Sequence, residues 1–367
     1  MKNKPKVAII TRHSVVNYGS FLQAYATEHV LRRLGCNPVT IDYIRRDETV
    51  NGATRRYSEG KSPLHKLYRS LVWRGLYARQ VHHFRSMQEH YLTLSKGVDE
   101  TTIKGSLDGY DVYLTGSDQV WNTMGDGKID AAYFWADLPE ECRRISYAAS
   151  FGKGDVDPSD ASRMREWLSR FEDLSVREES GMKLVEQFGL RAEHVLDPTL
   201  LLDEDSWSKL VNIRRPSVRG DFALVYNLHR DPAMLAYIEE QLKGSGLQII
   251  SICPSFRPRV GKDIYLPSMS DFIWLFKHAT CVFTDSFHGT AFCINLKIPF
   301  VATYPRENAA RNSSLLAQFG LEERKSGIIP DRGWHKQIDW APVHEKLEAE
   351  RACSLAWLGR ALADDER

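Results

Sequence analysis

Short apolar runs recur along this chain between stretches of helical spacing, and that alternation limits the possible folds more than any other feature. In the front half the runs are Lys6 to Thr11, Pro38 to Tyr43, Asp111 to Thr115, Arg144 to Ala149 and Leu174 to Val176. In the rear half they are Phe222 to Tyr226, Gln248 to Ile252, Cys281 to Thr284 and Pro299 to Ala302. Runs of this length, apolar throughout rather than alternating, predict strands buried on both faces of a parallel sheet. Gly19 to Leu34 places Leu22, Tyr25, Ala26, Val30, Leu31 and Leu34 on a helical face, and Gly35 supplies the stop. Further helices are expected over Pro63 to Tyr91, Pro158 to Phe171, Glu179 to Phe188, Pro232 to Lys243, Met269 to His278, Ala291 to Leu296, Asn312 to Phe319 and His344 to Leu362, with a loop over Thr49 to Lys61. The alternation pauses at Asp197-Pro198-Thr199 and begins again. The expected class is therefore α/β with two Rossmann-like domains, 1–196 and 197–343, and a terminal helix, 344–367, packing back on the first.

A chain of 367 residues is long for one hydrophobic core, which supports two domains. The formal net charge is only +1, so no global field draws nucleic acid or anionic membrane. No apolar stretch reaches the ~18 residues of a membrane span, and the start of the chain lacks a signal-peptide core; a cytoplasmic location is expected. Six cysteines show no C-x-x-C spacing and several lie in apolar runs, which predicts reduced, buried thiols and no zinc site. There is no G-x-G-x-x-G fingerprint for a dinucleotide and no short-period repeat. Trp73 to Tyr91 is basic and aromatic and carries His82, His83 and His90; an amphipathic helix packed on the first domain is expected, with a transient membrane-surface contact left open.

Ligands of open α/β sheets bind beyond the carboxyl ends of the strands. The sharpest local signal there is Thr284-Asp285-Ser286-Phe287-His288-Gly289-Thr290, where a strand gives way to a helix whose first amides and dipole favour an anion. His288 can hold a phosphate or act as general acid/base; alternatively Ser286 only caps the helix. Asp118 is a candidate base or hydroxyl anchor, or the pivot of an Asx-type turn. Gly19 permits close backbone approach to a ligand. Trp121, Phe151 and Phe287 could stack on sugars, with core packing the stronger expectation for Phe151. No D-x-D motif is present, so no metal is expected.

Several ordered segments together resemble the polysaccharide pyruvyl transferase family. They are Asn17 to Ala26, Gly116 to Asn122, Ser150 to Gly152, Ser175 to Glu178, Val195 to Leu201, Thr284 to Thr290 and Asn308 to Leu321. The resemblance implies two Rossmann-like domains facing a central cleft, as in GT-B glycosyltransferases. It implies transfer of a pyruvyl group from phosphoenolpyruvate, the co-substrate, onto two hydroxyls of a sugar as a ketal. No further cofactor is implied, and the acceptor can be polymeric or lipid-linked. Carried over by position, His288 and Asp118 are the catalytic candidates. Arg177, Ser286, Phe287, Gly289, Thr290 and Arg311 fall on the donor side, and Asn17, Tyr18, Gly19, Ser117, Gln119 and Trp121 on the acceptor side. Some members carry arginine where Ser286 stands; Ser286, Arg306 or Arg311 could then meet the donor phosphate. Arg177 is expected to grip an anion through its planar fork rather than pair with Glu178 or Glu179. Arg177→Ala and His288→Ala are expected to lower turnover while leaving the thermal transition nearly unchanged. A nucleotide-sugar-dependent glycosyltransferase and a non-catalytic glycan-binding relative are the alternatives.

Overall fold

The computed structural model describes residues 4–58, 62–68, 72–211, 216, 218–229, 232–253, 261–303, 309–330 and 332–363. The chain divides into two units, Met1–Pro198 with Ser354–Arg367, and Thr199–Cys353.

The first unit runs β1 (Lys6–Ile10), α1 (Tyr18–Arg33), β2 (Asn37–Thr40), α2 (Val50–Ser58), α3 (Pro63–Tyr68), α4 (Arg74–Tyr91), β3 (Val112–Thr115), β4 (Arg144–Ser146), α5 (Pro158–Leu168), β5 (Ser175–Val176), α6 (Glu179–Gln187) and β6 (Glu193–His194). Its main sheet has the order β2-β1-β3-β4, and every pairing is parallel. The short parallel pair β5-β6 joins beyond β4 through bridges at Ile145–Asp173 and Ala149–Val176. Strand β1 is apolar on both faces because helices cover both: Val7 to Ile10 are fully buried. Helix α1 starts where Asn17 accepts a hydrogen bond from the Gly19 amide (2.8 Å). It stops at Gly35, whose φ of +85° suits glycine, and the Cys36 amide closes back on the Leu31 carbonyl at 3.0 Å.

Helix α2 lies where a loop was expected. Its polar sequence and internal Gly52 hide the signal, but the Thr49 hydroxyl receives the Gly52 amide (3.1 Å) and Ala53 is fully buried. Gly52 is required there, since a β-carbon would stand 1.9 Å from the Arg46 carbonyl oxygen. Helix α4 buries Gln80, Phe84, Met87 and Gln88, with Phe84 against Tyr18 (centroids 4.8 Å apart). The basic aromatic stretch therefore packs on the first unit as its periodicity suggests.

The second unit holds α7 (Pro198–Leu201, its first residue shared with the boundary), α8 (Glu204–Ser208), β7 (Phe222–Tyr226), α9 (Pro232–Leu242), β8 (Gln248–Cys253), β9 (Lys262–Tyr265), α10 (Met269–His278), β10 (Cys281–Thr284), α11 (Phe287–Asn295), β11 (Phe300–Ala302) and α12 (Ala309–Phe319). The last helix, α13 (Trp340–Leu362), begins in this unit and ends in the first. The sheet order is β11-β10-β7-β8-β9, again wholly parallel. Ala223, Val225, Ile238, Phe283 and Val301 form part of its core. The chain is thus α/β with two parallel sheets. Cys281 and Cys293 are free thiols of the second unit; burial raises both, Cys281 to about 12, so both stay protonated. Among the described residues no helix is long and apolar enough to cross a membrane.

Candidate functional site

Each sheet has one place where successive strands are added on opposite sides, and there the loops part into a crevice. In the first unit this switch point lies between β1 and β3; in the second it lies between β7 and β10. The motif residues gather at these two places.

At the first switch point the strand ends carry a buried ionic web. Beyond β3, Ser117 Oγ donates to Asp197 Oδ2 (2.9 Å), and the Ser117 carbonyl accepts from Thr11 Oγ1 (2.7 Å) beyond β1. Asp118 takes the Ser20 hydroxyl on Oδ2 and its neighbour's amide, Gln119 N, on Oδ1 (2.9 Å). Its φ of +78° is unusual for a residue with a side chain, and the surrounding bonds hold it there. Arg177, at the end of β5, reaches Asp197 Oδ2 (2.9 Å), Ser117 Oγ (3.3 Å), Asp118 Oδ1 (3.5 Å) and Glu178 Oε2 (3.5 Å). Ser150 donates to the other Glu178 oxygen. Burial works against the guanidinium's charge, but Glu178, Asp197 and Asp118 outweigh it and hold Arg177 protonated beyond its ordinary range.

This geometry corrects the expectation for Arg177. Its side chain has no exposed surface, and its fork is engaged by carboxylates. Arg177 orders Asp118 and Asp197 instead. Trp121 is corrected too: it is 1% exposed, packs on Phe134 and Phe151 (centroids 5.9 and 5.2 Å away), and donates its indole N–H to the Tyr133 carbonyl (3.4 Å). It is a core residue, as is Phe151. Asn17 is the cap of α1, and Tyr18 packs on Phe84. A β-carbon at Gly116 would stand 3.2 Å from Thr11 Cβ, so glycine lets the end of β3 lie close to the end of β1. Gln119 accepts from Asn122 Nδ2 (2.7 Å) over Gly152, where φ is +72° and a β-carbon would lie 2.5 Å from Gln119 Oε1.

The second switch point is built differently. Ser286 caps α11, accepting from the Gly289 amide (3.3 Å). A β-carbon at Gly289 would stand 2.3 Å from Thr284 Oγ1 and 3.0 Å from the Tyr226 ring, so glycine lets the helix start press against β10 and β7. Phe287 and His288 follow the cap, edge to face (centroids 5.4 Å apart). Thr284 Oγ1 donates to the Tyr226 carbonyl (2.7 Å), joining the two strand ends.

Asp285 spans the crevice. Its Oδ1 accepts the Leu228 amide (2.6 Å), and its Oδ2 accepts the His229 amide (2.8 Å) and meets His229 Nδ1 at 2.9 Å. The carboxylate is buried while the His229 side chain is 40% exposed. With Nδ1–H directed at the carboxylate, the basic nitrogen of the neutral ring is Nε2, the arrangement of an oriented general base. Asn312 of α12 donates to the Asp285 carbonyl (3.1 Å). Among the described residues the hydroxyls of Thr290 and Thr303 and Asn312 Oδ1 are buried without a hydrogen-bond partner. Each is a buried polar atom that water or a polar ligand can complete. Arg306 and the side chain of Arg311 lie outside the described residues.

His229, Thr303 and Asn312 were not singled out by the sequence reading. The only signal for His229 is its place just past β7. Among the described residues no group of His, Cys, Asp or Glu side chains is arranged to hold a metal ion.

No match is found among curated proteins. Among solved structures, the UDP-GlcNAc 2-epimerase of Methanocaldococcus jannaschii is similar at 12% identity and a TM-score of 0.48, covering 96% of this chain and 92% of that one. A UDP-forming trehalose-phosphate synthase of Burkholderia xenovorans is similar at 11% identity and a TM-score of 0.48, covering 98% and 100%. The family model for polysaccharide pyruvyl transferase matches residues 17–306, well over half of the 367 residues, a range that includes Asp118, Arg177, His229 and Asp285. The chain belongs to the polysaccharide pyruvyl transferase family.

Proposed function

We propose that the protein transfers the pyruvyl group of phosphoenolpyruvate to two hydroxyls of a sugar, forming a ketal and releasing phosphate. The observation that carries the assignment of roles is the pairing of a helix start with the Asp285–His229 dyad at the switch point of the second unit. The donor needs an anion site for its phosphate and a proton carrier beside it. The first turn of α11 offers amides and dipole to an anion, and the Thr290 and Thr303 hydroxyls offer hydrogen bonds.

The chemistry sets the proton balance. A proton added at C3 of the enol makes C2 electrophilic. One sugar hydroxyl adds to C2, and the second then displaces phosphate from the same carbon. Of the two hydroxyl protons, one ends in the new methyl group and one leaves with phosphate, so an imidazole that accepts and returns protons suffices. His229 takes that role, with Asp285 fixing its tautomer, and His288 steadies the departing phosphate. No redox cofactor is required, since the donor carries both the carbon unit and the leaving group.

Incubating the full chain with phosphoenolpyruvate and a panel of sugars tests the reading. Phosphate release matched by the mass gain of a pyruvyl ketal is expected. Turnover only with a nucleotide sugar would reject it in favour of a glycosyltransferase. Glycan binding without turnover of either donor would make the chain a binding protein.

A further inference from the structure

Loops that leave the carboxyl ends of neighbouring parallel strands enclose the places where ligands settle. The loops after β3 and β4 enclose one such place inside the first unit, a pocket of about 380 Å³ lined by residues between positions 121 and 164. That volume lies near the lower end of the roughly 300–1,000 Å³ usual for small-molecule sites and suits a ligand of monosaccharide size. The Trp121 amide donates to the Ser150 carbonyl (3.1 Å), which ties the two loops together. Gly152 brings them closer still, since a β-carbon there would stand 2.6 Å from Asn122 Nδ2.

The lining is amphipathic. Ile129, Val156 and Pro158 supply apolar surface, together with the buried rings of Trp121 and Phe151. Asn122 and Thr123 add an amide and a hydroxyl from one loop. Lys153, Asp155, Asp157 and Asp160 add charge from the other loop and the start of α5. A sugar ring has the same duality, with an apolar C–H face and an edge of hydroxyls.

Charge decides which sugars fit. Among the lining residues, three carboxylates stand against one ammonium, an excess of two negative charges. The first turn of α5 does not offset them, because its cap is itself one of the carboxylates. Asp157 accepts the Ser159 hydroxyl (2.7 Å) and amide (2.9 Å), which hold it below the ordinary carboxylate range. A sugar hydroxyl finds acceptors here, whereas a ligand carboxylate or phosphate meets like charge. The same charge makes this pocket a poor seat for phosphoenolpyruvate.

We propose that this pocket is the subsite for one uncharged sugar ring of the acceptor, and that Asp155, Asp157 and Asp160 make it reject acidic sugars. Its place in the reaction rests on the pyruvyl transfer proposed above; its binding of a sugar does not.

Saturation-transfer-difference NMR on the full chain, without phosphoenolpyruvate, tests it with glucose, galactose and mannose and with the uronic acid of each. At least one hexose should bind, and its uronic acid about tenfold more weakly. Asp155→Asn/Asp160→Asn should erase most of that difference with an unchanged circular-dichroism melt. Independently, Asn122→Ala/Thr123→Val should weaken the hexose severalfold. No binding by any of these sugars, uronic acids that bind as well as the hexoses, or parental behaviour of both variants would overturn the proposal. Hexose binding without pyruvyl transfer would support the sugar site and remove only the reaction. Transfer to a hexose whose KM neither variant changes would uphold the reaction and remove the subsite.

Discussion

The two switch points occupy equivalent places in two parallel sheets, yet one is filled with charge and the other with hydrogen-bonding neutral groups around a single carboxylate. At the first, Arg177 is buried among Asp118, Glu178 and Asp197. At the second, Asp285 joins two strand ends and presents a half-exposed imidazole, beside buried hydroxyls that lack partners among the described residues. The same topology therefore yields a buried ion cluster in one unit and a carboxylate–imidazole pair beside a helix cap in the other. A buried ion cluster mainly fixes structure, whereas unpaired polar atoms at a helix start are a cost that a ligand removes.

The largest test of that contrast is Arg177→Ala. Three carboxylates would lose their counter-charge, and denaturant unfolding should show a loss of about 3–5 kcal/mol. The sequence alone suggested a nearly unchanged transition; that outcome would make Arg177 an open ligand group and the two switch points alike. His229→Ala should lower turnover about a hundredfold or more with an unchanged melting temperature, as a half-exposed ring contributes little packing. Retained turnover would move the proton carrier to His288. Gly289→Ala should cost about 1–3 kcal/mol in thermal unfolding, because its methyl group has no room beside Thr284 and Tyr226; a neutral result would mean that the start of α11 yields easily.

The smallest effect concerns acid. Burial alone would raise the Asp42 carboxyl, but His13 (3.4 Å) and Arg85 (2.7 Å) outweigh it and hold it at about 2. A depressed carboxyl contributes stability that is complete above pH ~4 and is lost as the pH falls toward 2, here about 1–2 kcal/mol. Asp42→Asn should flatten that part of the stability–pH curve. An unchanged curve would mean that the ion pairs of the first unit do not set its acid sensitivity.

The strands and most helices were legible because burial on both faces and helical periodicity are local properties of sequence. So was the α11 turn, where the cap, the glycine and the strand lie within seven residues. Helix α2 was not, since its support comes from Thr49 and a glycine inside a polar run. Arg177 was misjudged because two of the carboxylates that engage it stand at 118 and 197, and no local pattern announces them. Trp121 looked like a sugar platform because it follows a strand end; the carbonyl that satisfies its N–H belongs to Tyr133. His229 stayed hidden because Asp285, 56 positions away, gives it meaning.

The missing room beside Gly289 has a consequence for how such a protein can diverge. The helix start is clamped to two strands by contacts that leave no space for even a methyl group, so its direction is set before any substrate arrives. Residues 286, 287 and 288 ride on that clamp. Exchanging them alters the chemistry offered to a ligand while the frame beneath stays put.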